Sequence, residues 1–354
     1  MNVCIITVYN SVNSGSYWQA KILGRVVEGM GHTVYYLERP ENGSSIDGRK
    51  QVNKIVKVLL KNGVSDAITQ YNVMKQFAIA RKDFCICKSK DITKMDCFIL
   101  GSDTIWNIDR KYFRENYEFF FGKEQGARAI PYAASVANTS IEMIKQLNGV
   151  QEIVGKWKKI GVRDVHTKDV IEALGGEKIE IVCDPTFLLK KDDYTSYTKT
   201  NENQKYIFLY LFKSLNKEAA EALCRFAKEK SCAIINGVNA TGLEDRHILN
   251  TPYNFIQYMY NAEYIVTDTF HGTIFSVNFE KNFISINRNK TKVNEFLNRI
   301  GFSDRLVEEK PHELEKALDK KIDYSQRRNI IQEERTRSYD FLKEALSCIG
   351  DRND

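Results

Sequence analysis

One histidine of this sequence follows an apolar, strand-like run directly, where a side chain could exchange protons with a bound substrate. The stretch from Ala262 to Arg288 reads AEYIVTDTFHGTIFSVNFEKNFISINR, with His271 three residues after Asp268. Imidazole titrates near neutral pH, which suits general acid–base catalysis, and a nearby carboxylate can fix its tautomer. A lone histidine is more often structural than catalytic. Its place at the ligand end of a strand favours His271 as a catalytic acid/base, oriented by Asp268.

The residues after His271 could bind an anion. Gly272 and Thr273 open a predicted helix, whose first amide groups and positive end attract negative charge. Arg288 and Lys290 follow the next strand and add two cations at the same edge. We expect these four residues to contribute to binding a negatively charged donor.

A further guanidinium stands at the end of another strand, in IGVRD at Ile160 to Asp164. The planar fork of Arg163 suits a carboxylate or a phosphate bound through two hydrogen bonds. The alternative is a salt bridge with Asp164 or Asp184, and the sequence leaves both interpretations open.

Two polar loops could contact a second substrate. In NSVNSGS, residues Asn13, Ser14 and Ser16 either touch that substrate or only turn the chain and cap the following helix. In FILGSDTIWN, the residues at issue are Ser102, Asp103 and Trp106. Asp103 could orient a sugar hydroxyl, and Trp106 is either part of the core or a platform on which a sugar stacks.

Composition and motifs exclude several classes of protein. The chain has 354 residues, 43% of them hydrophobic, and a net charge of +6 spread along its length without a basic, aromatic-rich stripe for nucleic acid. The patterns GxGxxG and Walker A are absent, which argues against NAD and P-loop nucleotides. Cys85 and Cys87 form CxC without a second pair, so we expect neither a metal nor another cofactor. Scattered cysteines and the missing signal peptide predict a cytoplasmic protein, with peripheral contact at the inner membrane face left open.

Strand and helix patterns alternate along nearly the whole chain. The run VCIITV has the continuous apolar character of a strand buried on both faces, and the helix and strand after it complete a β-α-β unit. We predict an α/β protein with two Rossmann-like domains facing a cleft, as in glycosyltransferase-B-like folds. The domains are residues 1–190 on the acceptor side, with a C-terminal helix at 324–350 packing back on them, and residues 205–323 on the donor side. Residues 191–204 are the predicted linker.

The order of several motifs resembles the polysaccharide pyruvyl transferase family over nearly the whole chain. The motifs are GSYWQA, LGSDTIWN, PYAASVA, GVRD, CDPTFLL, NAEYIVTDTFHGTIFSVNF and TKVNEFLNRIGFSDR. The resemblance implies a glycosyltransferase-B-like fold and transfer of the enolpyruvyl unit of phosphoenolpyruvate to a saccharide, whether free or lipid-linked, with release of phosphate. It further implies that His271 is the catalytic acid/base and that Arg163 holds the donor.

Two other functions stay open at this point. A nucleotide-sugar-dependent glycosyltransferase of the same architecture would need an acidic pair gripping a ribose, and Glu263 and Asp268 are poorly placed for that. A non-catalytic sugar- or anion-binding protein would bind phosphoenolpyruvate without releasing phosphate.

Overall fold

The protein folds into two compact units, seen in a computed structural model that describes residues 1–40, 48–199, 204–238, 242–289 and 291–350. Unit 1 comprises Met1–Leu188 and Glu334–Asp354, and unit 2 comprises Leu189–Glu333. The chain therefore passes between the units twice.

Unit 1 is built on a parallel sheet with the strand order of a Rossmann fold. The order is β3-β2-β1-β4-β5, and every neighbouring pair is parallel. The strands are β1 (Asn2–Ile6), β2 (Thr33–Leu37), β3 (Ile86–Cys87), β4 (Cys97–Leu100) and β5 (Ala129–Pro131), followed by the parallel pair β6 (Ile160–Val162) and β7 (Ile179–Ile181). Single bridges from Ala134 to Asp103 and to Val162 continue the ladder from β4 toward β6.

Helices cover this sheet because the central strands are apolar on both faces. All four residues of β4 are buried, as are four of the five residues of β1. The helices are α1 (Ser14–Gly29), α2 (Gly48–Asn62), α3 (Val64–Ala80), α4 (Lys111–Glu115), α5 (Tyr117–Phe120), α6 (Ile141–Lys145), α7 (Val150–Val154) and α8 (Val165–Ala173). The core of the unit includes Phe98, Trp106 and Trp157.

Unit 2 has the complete Rossmann strand order. Its six parallel strands are arranged as β10-β9-β8-β11-β12-β13. They are β8 (Tyr206–Tyr210), β9 (Ala233–Asn236), β10 (Arg246–His247), β11 (Tyr264–Thr267), β12 (Asn282–Ile286) and β13 (Leu306–Val307). The helices are α9 (Lys217–Glu229), α10 (Pro252–Asn261), α11 (Phe270–Asn278), α12 (Thr291–Arg299) and α13 (Pro311–Asp319).

The segment predicted as a linker begins with ordered structure. Residues Lys191–Tyr197 form a 3-10 helix, and Tyr194 is fully buried there with its ring edge-on to Phe275 and Phe279. Residues 189–199 therefore pack as part of unit 2. Residues 200–203, the remainder of the predicted linker apart from Gln204, lie outside the described residues.

The last helix, α14 (Arg328–Gly350), returns the chain to unit 1. Within that unit the Ser338 hydroxyl accepts a hydrogen bond from the Cys183 amide at 2.9 Å. Gly161 of β6 gives the helix room, because a Cβ atom there would lie 2.7 Å from the ring of Phe341. Within the described residues, none of the helices combines the length and the apolar composition that a bilayer crossing requires.

Candidate functional site

His271 lies at the point of unit 2 where a Rossmann sheet usually binds its ligand. In such sheets the ligand crevice opens at the carboxyl ends of the two central strands, where the strand order reverses. In unit 2 these strands are β8 and β11, which pair from Tyr264 to Thr267. Asp268 and His271 follow β11 directly, so both predicted residues stand at this reversal point.

His271 belongs to the first turn of α11 and is partly exposed, although the Nε2 atom of its imidazole is buried. Thr269 caps the helix, with its hydroxyl accepting from the Gly272 amide at 2.9 Å. Farther along the helix, Phe275 and Phe279 are fully buried and anchor it. The histidine thus projects from a helix start that is fixed at both its cap and its buried face.

Asp268 joins the loops after β8 and β11. Its two carboxylate oxygens accept from the backbone amides of Phe212 at 2.9 Å and Lys213 at 3.1 Å. Burial raises the pKa of nearby Tyr210, so that phenol stays neutral close to the Asp268 carboxylate. Asp268 therefore holds the β8 loop, a role that the sequence did not indicate, and orientation of His271 by Asp268 stays a prediction.

Gly272 and Thr273 serve the packing of α11. The Gly272 amide is used by the cap, as described above. The Thr273 hydroxyl is fully buried and lies 2.8 Å from the Thr269 carbonyl, to which it donates, and 2.9 Å from the Ser285 hydroxyl. The helix cap uses the Gly272 amide, and Thr269 and Ser285 surround the Thr273 hydroxyl, so donor contact by these two residues stays a prediction.

Arg288 is tied into the same edge of unit 2. Its guanidinium donates to Glu309 and to the carbonyl of Ser214 at 3.1 Å, and it lies 3.7 Å from Asp268. The side chain keeps 14% of its surface exposed. Arg288 therefore brings positive charge to the reversal point. The carboxylates of Glu309 and Asp268 balance most of that charge. Lys290, the other predicted cation, lies outside the described residues.

In unit 1 the corresponding reversal point lies between β1 and β4, and a buried polar network occupies it. Thr7 donates to the Ser102 carbonyl at 3.0 Å, and the Gln19 amide group donates to the Thr7 hydroxyl at 3.0 Å. The Ser102 hydroxyl donates to Gln19. Ser102 and Ser14 are both fully buried in this structure and offer no surface to an acceptor.

Asp103 follows β4 and, unlike the buried Ser102, has a side chain that is partly exposed. Its carboxylate accepts from the Ser16 hydroxyl at 2.8 Å and from the Thr104 amide at 2.7 Å, and 15% of the side chain stays exposed. Its φ of 76° lies in a region that residues other than glycine seldom adopt. Asn13 caps α1 by accepting from the Ser16 amide at 3.0 Å. Asn13 thus caps the helix and Ser16 positions Asp103, and contact of either residue with a second substrate stays a prediction.

Arg163 forms a buried ion pair with Asp184 and also lies near Asp103. One terminal guanidinium nitrogen lies 3.3 Å from Asp184 and 3.9 Å from Asp103, and only 1% of the side chain is exposed. The salt bridge with Asp184 was the alternative interpretation of this arginine. Asp164 instead caps α8 by accepting from the amide and hydroxyl of Thr167. Donor binding by Arg163 stays a prediction.

Trp106 is a core residue and does not form a sugar platform. It is fully buried, its indole nitrogen donates to the Phe120 carbonyl at 3.0 Å, and its ring stacks on Trp157 at 5.4 Å. Because Trp157 is distant in sequence, only the tertiary structure decides between the two interpretations.

Two residues of these networks were not singled out from the sequence. Gln19 falls inside the motif GSYWQA, three residues after Ser16, and that helical spacing was an available signal. For Glu309 the sequence spacing gives no signal. This residue lies in a different loop from Arg288, and only the folded structure brings the two together as an ion pair. Within the described parts of the chain, no group of three His, Cys, Asp or Glu side chains could hold a metal ion.

Comparison with solved structures defines the class of fold. The putative UDP-N-acetylglucosamine 2-epimerase of Listeria monocytogenes aligns with a TM-score of 0.52 and 10% identity over 97% of this chain and 91% of that one. The UDP-GlcNAc 2-epimerase of Neisseria meningitidis bound to UDP-GlcNAc gives 0.52 and 9% over 98% and 99%. A further UDP-N-acetylglucosamine 2-epimerase gives 0.55 and 11% over 100% and 97%. The chain thus has a glycosyltransferase-B-like α/β fold with two Rossmann-like units.

The family follows from the sequence. The polysaccharide pyruvyl transferase family model matches residues 13–290, which include both strand-end regions described above. This chain belongs to that family and is therefore a transferase. No curated protein matches the chain.

Proposed function

We propose that this protein transfers the enolpyruvyl group of phosphoenolpyruvate to two neighbouring hydroxyls of a saccharide, forming a pyruvate ketal and releasing phosphate. The observation that carries the proposal is the family match over residues 13–290. The placement of His271 at the strand reversal of unit 2 supports it, because the reaction requires a proton donor.

The reaction balances with one proton delivered to carbon and two removed from hydroxyls. Protonation of C3 of the enol turns C2 into an oxocarbenium-like centre. The first sugar hydroxyl then forms a C–O bond at C2 and loses its proton, and the bond from C2 to the phosphate oxygen breaks. The second hydroxyl adds to C2 and loses its proton as well. One of the two released protons ends on phosphate, and the other restores the acid.

His271 is the proposed proton donor to C3. The residue is partly exposed, and imidazole is the side chain that most often serves as a general acid or base. It stands in the first turn of α11, whose positive end favours the negative charge of the donor. No metal is required by these steps.

Arginine side chains are the proposed partners of the donor's carboxylate and phosphate. Arg163 and Arg288 both pair with carboxylates in this structure, so donor binding requires either guanidinium to exchange part of that pairing. Arg288, with 14% of its side chain exposed against 1% for Arg163, is the more accessible of the two.

Asp103 is the proposed acceptor-side residue. Its carboxylate is partly exposed, and the Ser16 hydroxyl and the Thr104 amide hold it in place. An ionised carboxylate accepts hydrogen bonds from sugar hydroxyls, and it can take up the proton that an attacking hydroxyl loses. Asn13 is partly buried, accepts from the amide of the same Ser16, and completes the proposed acceptor set.

The test is a transfer assay on the full chain with phosphoenolpyruvate labelled in its pyruvyl carbons. A panel of free and lipid-linked saccharides serves as acceptors, and phosphate release is measured in parallel. We expect label in the saccharide and an equal amount of phosphate for at least one acceptor. A parallel assay uses a UDP-sugar labelled in its sugar. Transfer of that label to a saccharide, without transfer from phosphoenolpyruvate, would establish the glycosyltransferase alternative. Binding of phosphoenolpyruvate without phosphate release over the whole panel would overturn the proposed activity.

A further inference from the structure

A helical hairpin of unit 1 exposes most of the large apolar side chains on the described surface. Helices α2 and α3 are joined at Gly63 and pack against each other. Of thirteen exposed large hydrophobic side chains in the described residues, eight belong to this hairpin. They are Val52, Val56, Leu59, Leu60, Val64, Ile68, Tyr71 and Ile79, and the exposed fraction reaches 81% at Leu60. Apolar exposure on this scale marks an interaction surface.

These side chains form one face on each helix. Val52, Val56 and Leu59 follow the spacing i, i+4, i+7 on α2, and Val64, Ile68 and Tyr71 repeat it on α3. Residues at this spacing lie on the same side of an α-helix. The buried residues of α3, which include Met74 and Phe77, lie on a different side of it. The exposed faces therefore remain available after the hairpin has packed on its unit.

The charge of the hairpin indicates what covers these faces. Helix α2 contains five basic residues and no acidic one, and residues 48–80 together contain six basic and one acidic residue. The whole chain has a net charge of +6, and these residues alone carry +5, so the excess positive charge is concentrated here and the even spread expected from the composition was wrong. An exposed apolar face on a helix whose charged residues are all basic is typical of helices that lie in the interface of an anionic bilayer.

We infer that the α2–α3 hairpin, Gly48–Asn62 and Val64–Ala80, docks on the surface of an anionic lipid bilayer. Its apolar side chains enter the boundary between headgroups and acyl chains, while basic side chains such as the exposed Lys57 contact lipid phosphates. A second copy fits less well, because a two-fold interface sets the same patch against itself and brings the basic helices together. This inference does not rest on the proposed transfer reaction.

The test is co-sedimentation of the full chain with vesicles of phosphatidylcholine alone and of phosphatidylcholine mixed with phosphatidylglycerol. We expect binding to the mixed vesicles and little to phosphatidylcholine alone. Lys57→Glu reverses one charge and should weaken binding by roughly tenfold. The double variant Leu59→Ser/Ile68→Ser removes apolar side chains from both helices and should weaken binding by more than about tenfold. Circular dichroism checks that each variant is folded.

A matched control places the same change on exposed apolar residues outside the hairpin. The double variant Ile330→Ser/Tyr339→Ser alters two exposed side chains of α14 and should bind vesicles like the wild type. Equal binding to both vesicle types, or a folded hairpin variant that binds normally, overturns the inference. Light scattering measures the oligomeric state and so tests whether a second copy of the chain covers this surface instead. A wild-type dimer that Leu59→Ser/Ile68→Ser converts to monomers, without vesicle binding, assigns the surface to a second copy and overturns lipid docking.

Discussion

Gly272 lies against Thr267 so closely that no side chain fits at position 272. A Cβ atom there would stand 2.2 Å from the Thr267 hydroxyl oxygen and 2.6 Å from that of Thr269. The first turn of α11 can approach the end of β11 only because this residue is a glycine. His271 immediately precedes Gly272, so the same contact sets the position of the imidazole.

Gly272→Ala should therefore affect both stability and activity. We expect a loss of about 1–3 kcal/mol in the free energy of unfolding, the usual cost of overpacking, and slower pyruvyl transfer as His271 is displaced. Urea denaturation and the transfer assay measure the two effects. Gly29→Ala is the control, because nothing lies within 4 Å of a Cβ atom at that position and alanine favours the helix by up to about 1 kcal/mol. Unchanged stability and turnover in Gly272→Ala would show that the helix start is free to shift.

His271→Ala should lower the rate of pyruvyl transfer by about 10²-fold or more, the usual scale for loss of a general acid or base. The fold should be preserved, because His271 is only partly buried. His247→Ala, which changes an exposed histidine of the same unit, should leave turnover unaltered. Turnover close to the wild-type value in His271→Ala would remove this residue from the proposed mechanism.

Arg163 can be tested for structural and donor-binding roles separately. Arg163→Ala leaves Asp184 buried without its guanidinium partner and should cost about 3–5 kcal/mol of stability. Arg163→Lys keeps the charge but loses the planar fork, so a donor-binding role predicts a raised KM for phosphoenolpyruvate. If Arg163→Lys lowers stability while the donor KM and the rate stay unchanged, Arg163 is a structural residue only.

Trp106 should behave as a core residue in a saccharide assay. Trp106→Ala removes a ring that stacks on both Phe121 and Trp157 and should cost about 3–5 kcal/mol of stability. Trp106→Phe keeps an aromatic ring in the core and should leave the KM for the saccharide as it is. A large rise in that KM for Trp106→Phe, without a change in urea denaturation, would restore the sugar-platform interpretation.

Lys281 predicts a pH dependence of stability. Burial, with a smaller effect from Lys191, lowers the pKa of Lys281 to about 8 in the folded protein. Between pH 8 and the ordinary lysine value of about 10.4, the unfolded chain binds more protons than the folded one, so this lysine makes stability rise with pH. Lys281→Met should be more stable than wild type at pH 7 by up to about 3 kcal/mol.

That difference between Lys281→Met and wild type should shrink as the pH rises above 8 and vanish only above about pH 10.4, where the lysine is neutral in the unfolded chain as well. Urea denaturation across this pH range measures it, and the exposed Lys343→Met is the control, expected to show no such trend. A difference that is the same at pH 7 and pH 10 would mean that Lys281 is not desolvated.

The sheet architecture was accessible from the sequence because parallel strands are buried on both faces. The continuous apolar runs at β1, β8 and β11 and the helices between them predicted two Rossmann-like domains, and that fold class is confirmed. The strands β3, β10 and β13 are two residues long and too short to show any periodicity. They were found only in the structure, where neighbouring strands supply their hydrogen bonds.

The sequence by itself determined the family, the strand ends where chemistry can occur, and the place of His271 at one of them, because local apolar runs and motif order carry that information. Only the tertiary structure decided which polar residues stay accessible. Ser102, Trp106 and Thr273 are buried by partners such as Gln19, Trp157 and Ser285. Burial depends on what packs against a residue from elsewhere in the chain, and residue type and spacing do not specify those partners.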